Sequence, residues 1–343
     1  MSAVNSALTE IIRDEILKNG PIPFAWFMKQ ALYHPEHGYY SSDRAEIGRR
    51  GDYFTSVSVG PLFGELLAAQ FAEIWERLGK LDDFVIVEQG AHHGEFARDV
   101  LESTQRRSPI FFSALRYQIV EPFPKLQERQ SQTLRDLEDR VRWRTSLAEL
   151  ETFVGIHFSN ELLDAMPINL RNKRVAVRGD EFVFVDSPDE QATNQSQLEW
   201  VAEVAQKLRR GLVLGIDYGF VKTDFREIIQ VRAQHRQLDS PFERIGEADI
   251  TAHVNWTDIA QGADKNGLSV IGFTDQHHFL TGVISTFPEI VTDEKSKRQL
   301  QTLLHPEMLG RSFQVLALAK DVDISAPLSG FKFARDPWRT LGL

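Results

Sequence analysis

The chain has 343 residues, 42% hydrophobic and 26% charged, which suits one large core or two modest ones and argues against a disordered chain. A formal net charge of -10 gives a long polyanion a repulsive average field, so nucleic acid is not an expected partner. With no cysteine, disulfides, thiolate nucleophiles and cysteine-ligated zinc are excluded.

The opening MSAVNSALTEIIRDEILKNG has neither the apolar core of a secretory signal nor the Arg-rich, acid-poor character of a transit peptide. No apolar run approaches the roughly 18 residues that span a bilayer. Both features favour the cytoplasm and no membrane insertion. Residues 1–60 are aromatic and broken by Gly and Pro, in GPIPFAWFMKQALYHPEHGYYSS and IGRRGDYFTS, and predict a short helical cap with ordered loops. From Pro61, PLFGELLAAQFAEIWERLG sets apolar residues at 62, 63, 66, 67, 71, 74, 75 and 78, a helical stripe opened by proline and followed by Gly79. DFVIVEQG then reads as a strand, EFARDVLESTQRR as a helix, LRYQIVEPF as a strand, PKLQERQSQTLRDLED as a helix, and GIHFSNELLDAMP opens as a strand. KRVAVRGDEFVFVDS predicts a hairpin on a Gly-Asp turn, QSQLEWVAEVAQKLRR a helix and GLVLGIDYGF a buried run. LSVIGFTDQ and SFQVLALAK supply two more strands, while residues 220–260 read as an irregular insertion. The basic stretches IGRRGD and VRWR are read as solvated surface.

Short apolar runs separated by helices predict an α/β fold, a mostly parallel sheet covered on both faces. The expected organisation is a cap and lid loop over residues 1–60 and one domain over 61–343, with insertions at about 165–200 and 220–260. In such sheets ligands bind beyond the carboxyl ends of the strands, at the switch in strand order. The residues there are Glu88-Gln89-Gly90, Glu121-Pro122, Asn160-Glu161 and Asp217-Tyr218-Gly219. Three of these strand ends carry a carboxylate, which points to one polar rim over one cleft.

A carboxylate at the end of the second strand accepts from both hydroxyls of a ribose. A dinucleotide would also need the G-x-G-x-x-G turn to hold its pyrophosphate, and Gly90-Ala91-His92-His93-Gly94 lacks that spacing. A cofactor without phosphate, carrying ribose hydroxyls and positive charge, suits the acidic rim better, and S-adenosylmethionine has both features. His92 and His93 are read as polar loop residues rather than metal ligands, because the spacing shows no third ligand.

The segments GPIPFAWFMKQALYHPEHGYYSS, IGRRGDYFTS with PLFGELLA, VEQGAHHGEFARDVL, SNELLDAMP, IDYG and DITAHVNW resemble the MidA-type family. Its mitochondrial members assist respiratory complex I assembly as protein arginine methyltransferases. The similarity runs in the family's order from about Gly20 to LLHPEMLGRSFQVLAL. It implies a Rossmann-like class I methyltransferase with a seven-stranded sheet, an N-terminal lid, and S-adenosyl-L-methionine bound over the turn after the first strand. The family's first motif reads E-x-G-x-G-x-G; this chain has His92 at the central glycine. Glycine there permits a positive φ, and histidine is among the few other residues enriched in that region.

The cofactor-binding residues expected are Glu88, Gly90, His92, Gly94 and Glu121, with Arg49, Thr55 and Ser56 from a loop, GRRGDYFTS, closing over the donor. A guanidinium acceptor, with pKa above about 12, requires carboxylates that grip it bidentately. Glu161 is expected to bind it, with Asn160 and Asp164 orienting it. Asp249, Thr251, His253 and His235 receive no role. The expected partner is a protein presenting an arginine. A small molecule or another side chain as acceptor, and a non-catalytic assembly factor that kept the fold, remain open alternatives.

Overall fold

The computed structural model describes residues 6–41, 55–191, 193–221, 228–234 and 236–343. The chain divides into two compact units, the larger from the described residues of 55–162, 200–225 and 254–343, the smaller from those of 1–54, 163–199 and 226–253. The N-terminal segment and the two insertions therefore belong to one unit, and the chain leaves the larger unit immediately after Leu162.

The larger unit is built on a mixed sheet of eight strands: β1 (Phe84–Gln89), β2 (Leu115–Val120), β3 (Val141–Arg144), β4 (Phe153–Asn160), β5 (Leu208–Phe220), β6 (Val254–Asn255), β7 (Ser269–Asp275) and β8 (Phe313–Lys320). The order is β7-β8-β5-β4-β1-β2-β3, with the short β6 beside β5. The pairs β1–β2, β2–β3, β1–β4, β4–β5 and β5–β6 are parallel, whereas β8 runs antiparallel to both β5 and β7. The four-residue β3, VRWR, is a strand of the sheet rather than plain surface. Its alternation of arginine with Val141 and Trp143 has the period of a strand buried on one face.

Alternation along β1 sends Phe84, Ile86 and Glu88 to one face and Val85, Val87 and Gln89 to the other. The first face is covered by helix α1 (Leu62–Arg77) and helix α2 (Glu95–Arg107), whose Phe71 and Phe96 meet Phe158 of β4 at ring separations of 5.6 and 4.4 Å. Such aromatic pairs add about 0.5–1.5 kcal/mol each beyond the area they bury. At the middle of the sheet the backbones come too close for a side chain. A Cβ on Gly155 would lie 1.9 Å from Val85 O, and one on Gly211 would lie 1.9 Å from Gly155 O. Strand order reverses between β1 and β4, so the carboxyl ends of these two strands flank the switch point.

The smaller unit has its own core, in which Leu8, Ile12, Phe24, Phe27, Val175 and Ile250 are buried together. The hairpin forms as expected, with Lys173–Arg178 against Glu181–Asp186 and Gly179 in the turn at φ 63°. Residues 220–260 are not an irregular insertion. Within them Ile229–Ala233 pairs antiparallel with both Arg236–Gln237 and Asp249–Ala252, an additional three-stranded sheet. Among the described residues no helix is long and apolar enough to cross a membrane.

Candidate methyl-donor site

The turn after β1 runs from Gly90 to Gly94 and leads into α2, with Gly94 N–H donating to Ala91 O at 2.8 Å. Gly90 and Gly94 both have φ 85°, and His92 has φ 46°. All three therefore occupy the left-handed region, which histidine enters at modest cost. His92 thus keeps the turn that glycine would make. Its ring lies 3.6 Å from that of His93, whose Nε2 is 2.8 Å from Arg129 Nη1.

Glu88 closes β1 on the face beneath α2, where it is 3% exposed and accepts a hydrogen bond from Tyr117 Oη at 2.7 Å. Burial raises its pKa from 4.5 to about 8, against the lowering effect of the Tyr117 hydrogen bond, and Glu95 raises it further. Glu121, just past β2, is also buried. Its Oε1 accepts from Phe123 N–H at 3.0 Å and its Oε2 from Gln130 Nε2 at 3.1 Å. Burial raises Glu121 to about 7, opposed by these two hydrogen bonds. Gln130, itself fully buried, also donates to His92 O at 2.8 Å and accepts from Trp143 Nε1 at 2.9 Å. One amide therefore ties the acid of β2, the backbone of the turn and the edge strand β3. Sequence reasoning missed Tyr117 and Gln130. The alternation of LRYQIV, which puts Tyr117 opposite Ile86, was the available signal for Tyr117.

Asn160 and Glu161 close β4 beside the same turn, since a Cβ built on Gly90 would lie 3.5 Å from Leu162 Cβ and 3.7 Å from Asn160 O. Asn160 Nδ2 donates to Glu161 Oε1 at 3.0 Å, while Asn160 Oδ1 is buried without a hydrogen-bond partner. Glu161 has φ 53°, and its N–H donates to Ile216 O at 2.9 Å. A left-handed conformation at a bulky acid costs on the order of 1–3 kcal/mol. Asp164 belongs to the smaller unit, where it is 3% exposed and its carbonyl accepts from Ala252 N–H at 2.8 Å.

Thr55 Oγ1 accepts from Ser58 N–H at 3.1 Å, and the buried Ser56 Oγ donates to Gln276 Oε1 at 2.9 Å, so both hydroxyls serve the chain's own bonding. Arg49 and His235 lie outside the described residues. Asp217 lies within β5 rather than past its end, with Oδ1 accepting from Tyr218 N–H at 2.8 Å. In the smaller unit Asp249 accepts from Tyr40 Oη at 2.8 Å, and His253 Nε2 lies 3.1 Å from Gln230 Nε2.

The fold does supply a third donor to the two histidines, because ligand atoms of His92, His93 and Glu95 all lie within 4.8 Å of one another. Arg129 at His93 Nε2 places a fixed positive charge where it opposes a dication.

Two buried carboxylates, one buried amide oxygen without a donor and a turn of left-handed residues fit a cationic ligand rich in hydroxyl and amino donors. S-Adenosyl-L-methionine has that character. The sequence matches the family described as S-adenosyl-L-methionine-dependent methyltransferase over residues 66–178 and 181–274. A structure from Burkholderia thailandensis, described as a COG1565 superfamily member bound to S-adenosyl-homocysteine, is similar at TM-score 0.87 and 28% identity, covering 98% of this chain and 97% of that one. Among curated relatives, protein arginine methyltransferase NDUFAF7, mitochondrial, of Mus musculus is 26% identical over 92% of this chain and 86% of its own length. Its namesake of Homo sapiens is 27% identical over 89% of this chain and 81% of its own. These mitochondrial names overturn the cytoplasmic expectation drawn from the N-terminal composition. The match over more than half of its length makes this chain a member of the S-adenosyl-L-methionine-dependent methyltransferase family.

Proposed function

We propose that the protein methylates an arginine side chain of a protein. The observation that carries the reading is the Asn160–Glu161 pair, a carboxylate fixed by its neighbour's amide in a left-handed backbone beside the donor turn. The curated relatives named as protein arginine methyltransferases support the same acceptor class.

The bound donor supplies an activated methyl group on a sulfonium centre. Glu121 accepts hydrogen bonds from the ribose hydroxyls, held in place by Phe123 N–H and Gln130. Glu88 places negative potential beneath the turn when ionised, and the left-handed residues Gly90, His92 and Gly94 let the backbone approach the ligand. Glu161 accepts two N–H groups of the guanidinium, draws its positive charge toward the carboxylate, and takes the proton that the modified nitrogen gives up. Asn160 keeps Glu161 aimed, and its free Oδ1 accepts a further N–H from either ligand.

Purified protein and isotope-labelled donor are to be incubated with lysate from cells lacking the gene, and the products identified by mass spectrometry. Labelled methylarginine in a protein is expected. Label confined to a metabolite, with none in arginine, refutes the reading.

A further inference from the structure

The stretch VRWR has a second consequence, away from the donor turn. We propose that the outer face of the sheet edge, formed by β2 and β3, is a docking surface for an acidic helical segment of a partner protein. In a parallel sheet the connection between strands is a crossover, usually a helix that covers one face. Between β3 and β4 the crossover is only residues 145–152, and its sole regular element is the single turn Leu147–Glu149. Lys207 Nζ holds it through Ala148 O and Leu150 O at 2.8 and 2.7 Å. The helix Gln195–Lys207 covers β4 through Trp200, whose ring meets that of His157 at 5.4 Å. Beyond it, toward the sheet edge, the face stays open.

What lies on that face is basic. Gln118 pairs with Arg142 and Val120 with Arg144 in parallel register, so Arg116, Gln118, Arg142 and Arg144 project to the same side. A cleft of about 540 Å³ opens over them, lined also by Arg140 and Arg209, with Leu81 and Val154 as its half-buried apolar residues. Arg142 donates to Glu138 O and Val141 O, and Arg144 to Trp143 O; among the described residues neither makes an ion pair. Gln118 Oε1 is buried without a partner. The acids near them are all exposed: Asp82, Asp83, Asp139 and Glu151 on the rim, with Asp83 3.8 Å from Arg116 Nε, and Glu149, whose carboxylate Arg144 helps to stabilise.

Like charges side by side on one face repel, and carboxylates laid between them relieve the repulsion. Arginine on an edge strand also blocks strand pairing, but that role needs only β3. It does not account for Arg116 and Gln118 one strand inward, nor for Arg209 at the start of β5. The acidic rim opposes a continuous polyanion, whereas an amphipathic helix carries its carboxylates as one stripe and lays apolar residues on Leu81 and Val154.

The test is fluorescence anisotropy with a labelled peptide of about 20 residues, roughly 30 Å long as a helix. Glu and Leu occupy its opposite faces. Comparators are the same peptide with Lys for Glu and a single-stranded oligonucleotide. The full chain is expected to bind the acidic peptide saturably and the lysine peptide not at all. Arg142→Glu with Arg144→Glu is expected to weaken binding at least about tenfold. The pair Arg298→Glu with Arg335→Glu, exposed elsewhere and changing the charge equally, is expected to leave it unaltered. Absence of saturable binding, equal weakening by both pairs, or tighter binding of the oligonucleotide overturns the proposal. If the first pair does not fold, Arg209→Glu is read instead, and a change of less than about twofold overturns it.

Discussion

Replacing Glu88 by Gln is expected to leave a signature in the pH dependence of stability. The glutamine oxygen can still accept from Tyr117, so the change removes chiefly the ability to ionise. In the folded chain burial holds the Glu88 proton up to about pH 8, against an ordinary 4.5 when unfolded. The folded state therefore binds more protons than the unfolded state between these values. The contribution is fully present below 4.5 and is lost as pH rises through about 8. At about 1.36 kcal/mol per pH unit, close to one proton separates the two states from pH 5.5 to 7.5, so wild type loses about 2.5 kcal/mol relative to Glu88→Gln over that interval. Urea melts of both proteins at several pH values measure the difference directly, and any constant offset from the amide cancels. A wild-type minus variant difference that stays flat from pH 5.5 to 8.5 would refute the buried, protonated Glu88.

Glu121, raised to about 7, is expected to give up a proton when ribose hydroxyls engage it. Calorimetry of S-adenosyl-homocysteine in buffers of different ionisation enthalpy near pH 6.5 should show proton release, with binding tightening as pH rises through 7; release unchanged in Glu121→Gln would place the effect elsewhere. Gly155→Ala is expected to cost about 4 kcal/mol or more, because the added Cβ falls 1.9 Å from Val85 O at the middle of the sheet. Thermal melting checks this, and a shift of only a few degrees would contradict the tight register of β1 and β4.

The parts of the fold legible in the sequence are those whose signal is local. FVIV, YQIV and VLGI are β-branched runs ended by acids, and the stripe from Pro61 has helical spacing, so the strands and α1 follow from short windows. Edge strand β3 was not legible, because VRWR has one buried face and four residues, and its arginines outweigh its apolar pair in any window. The small sheet at 229–252 was also hidden. Its partners lie close in sequence, but its strands are short and polar, and their burial depends on aromatic residues far away, such as Phe27 against Phe242 at 5.2 Å.

At the site, Glu88 and Glu121 could be read from strand ends, but what perturbs them could not. Tyr117 and Gln130 reach them across the sheet and from the helix Pro124–Thr133. His92 in place of glycine is the opposite case. The residue looked anomalous in sequence, and φ 46° shows a turn of the same hand. The conformation of Glu161 had no sequence signal, since nothing in SNELLD demands a left-handed acid.

The most direct test separates donor binding from transfer at Glu161. Wild type and Glu161→Gln are to be compared for S-adenosyl-homocysteine affinity and for methylarginine formed in lysate protein. The account predicts affinities within about threefold of each other, less than about 0.7 kcal/mol, with methylarginine produced by wild type alone. Parallel loss of affinity and transfer, or methylarginine formed undiminished by Glu161→Gln, would contradict the assignment of Glu161 to the acceptor.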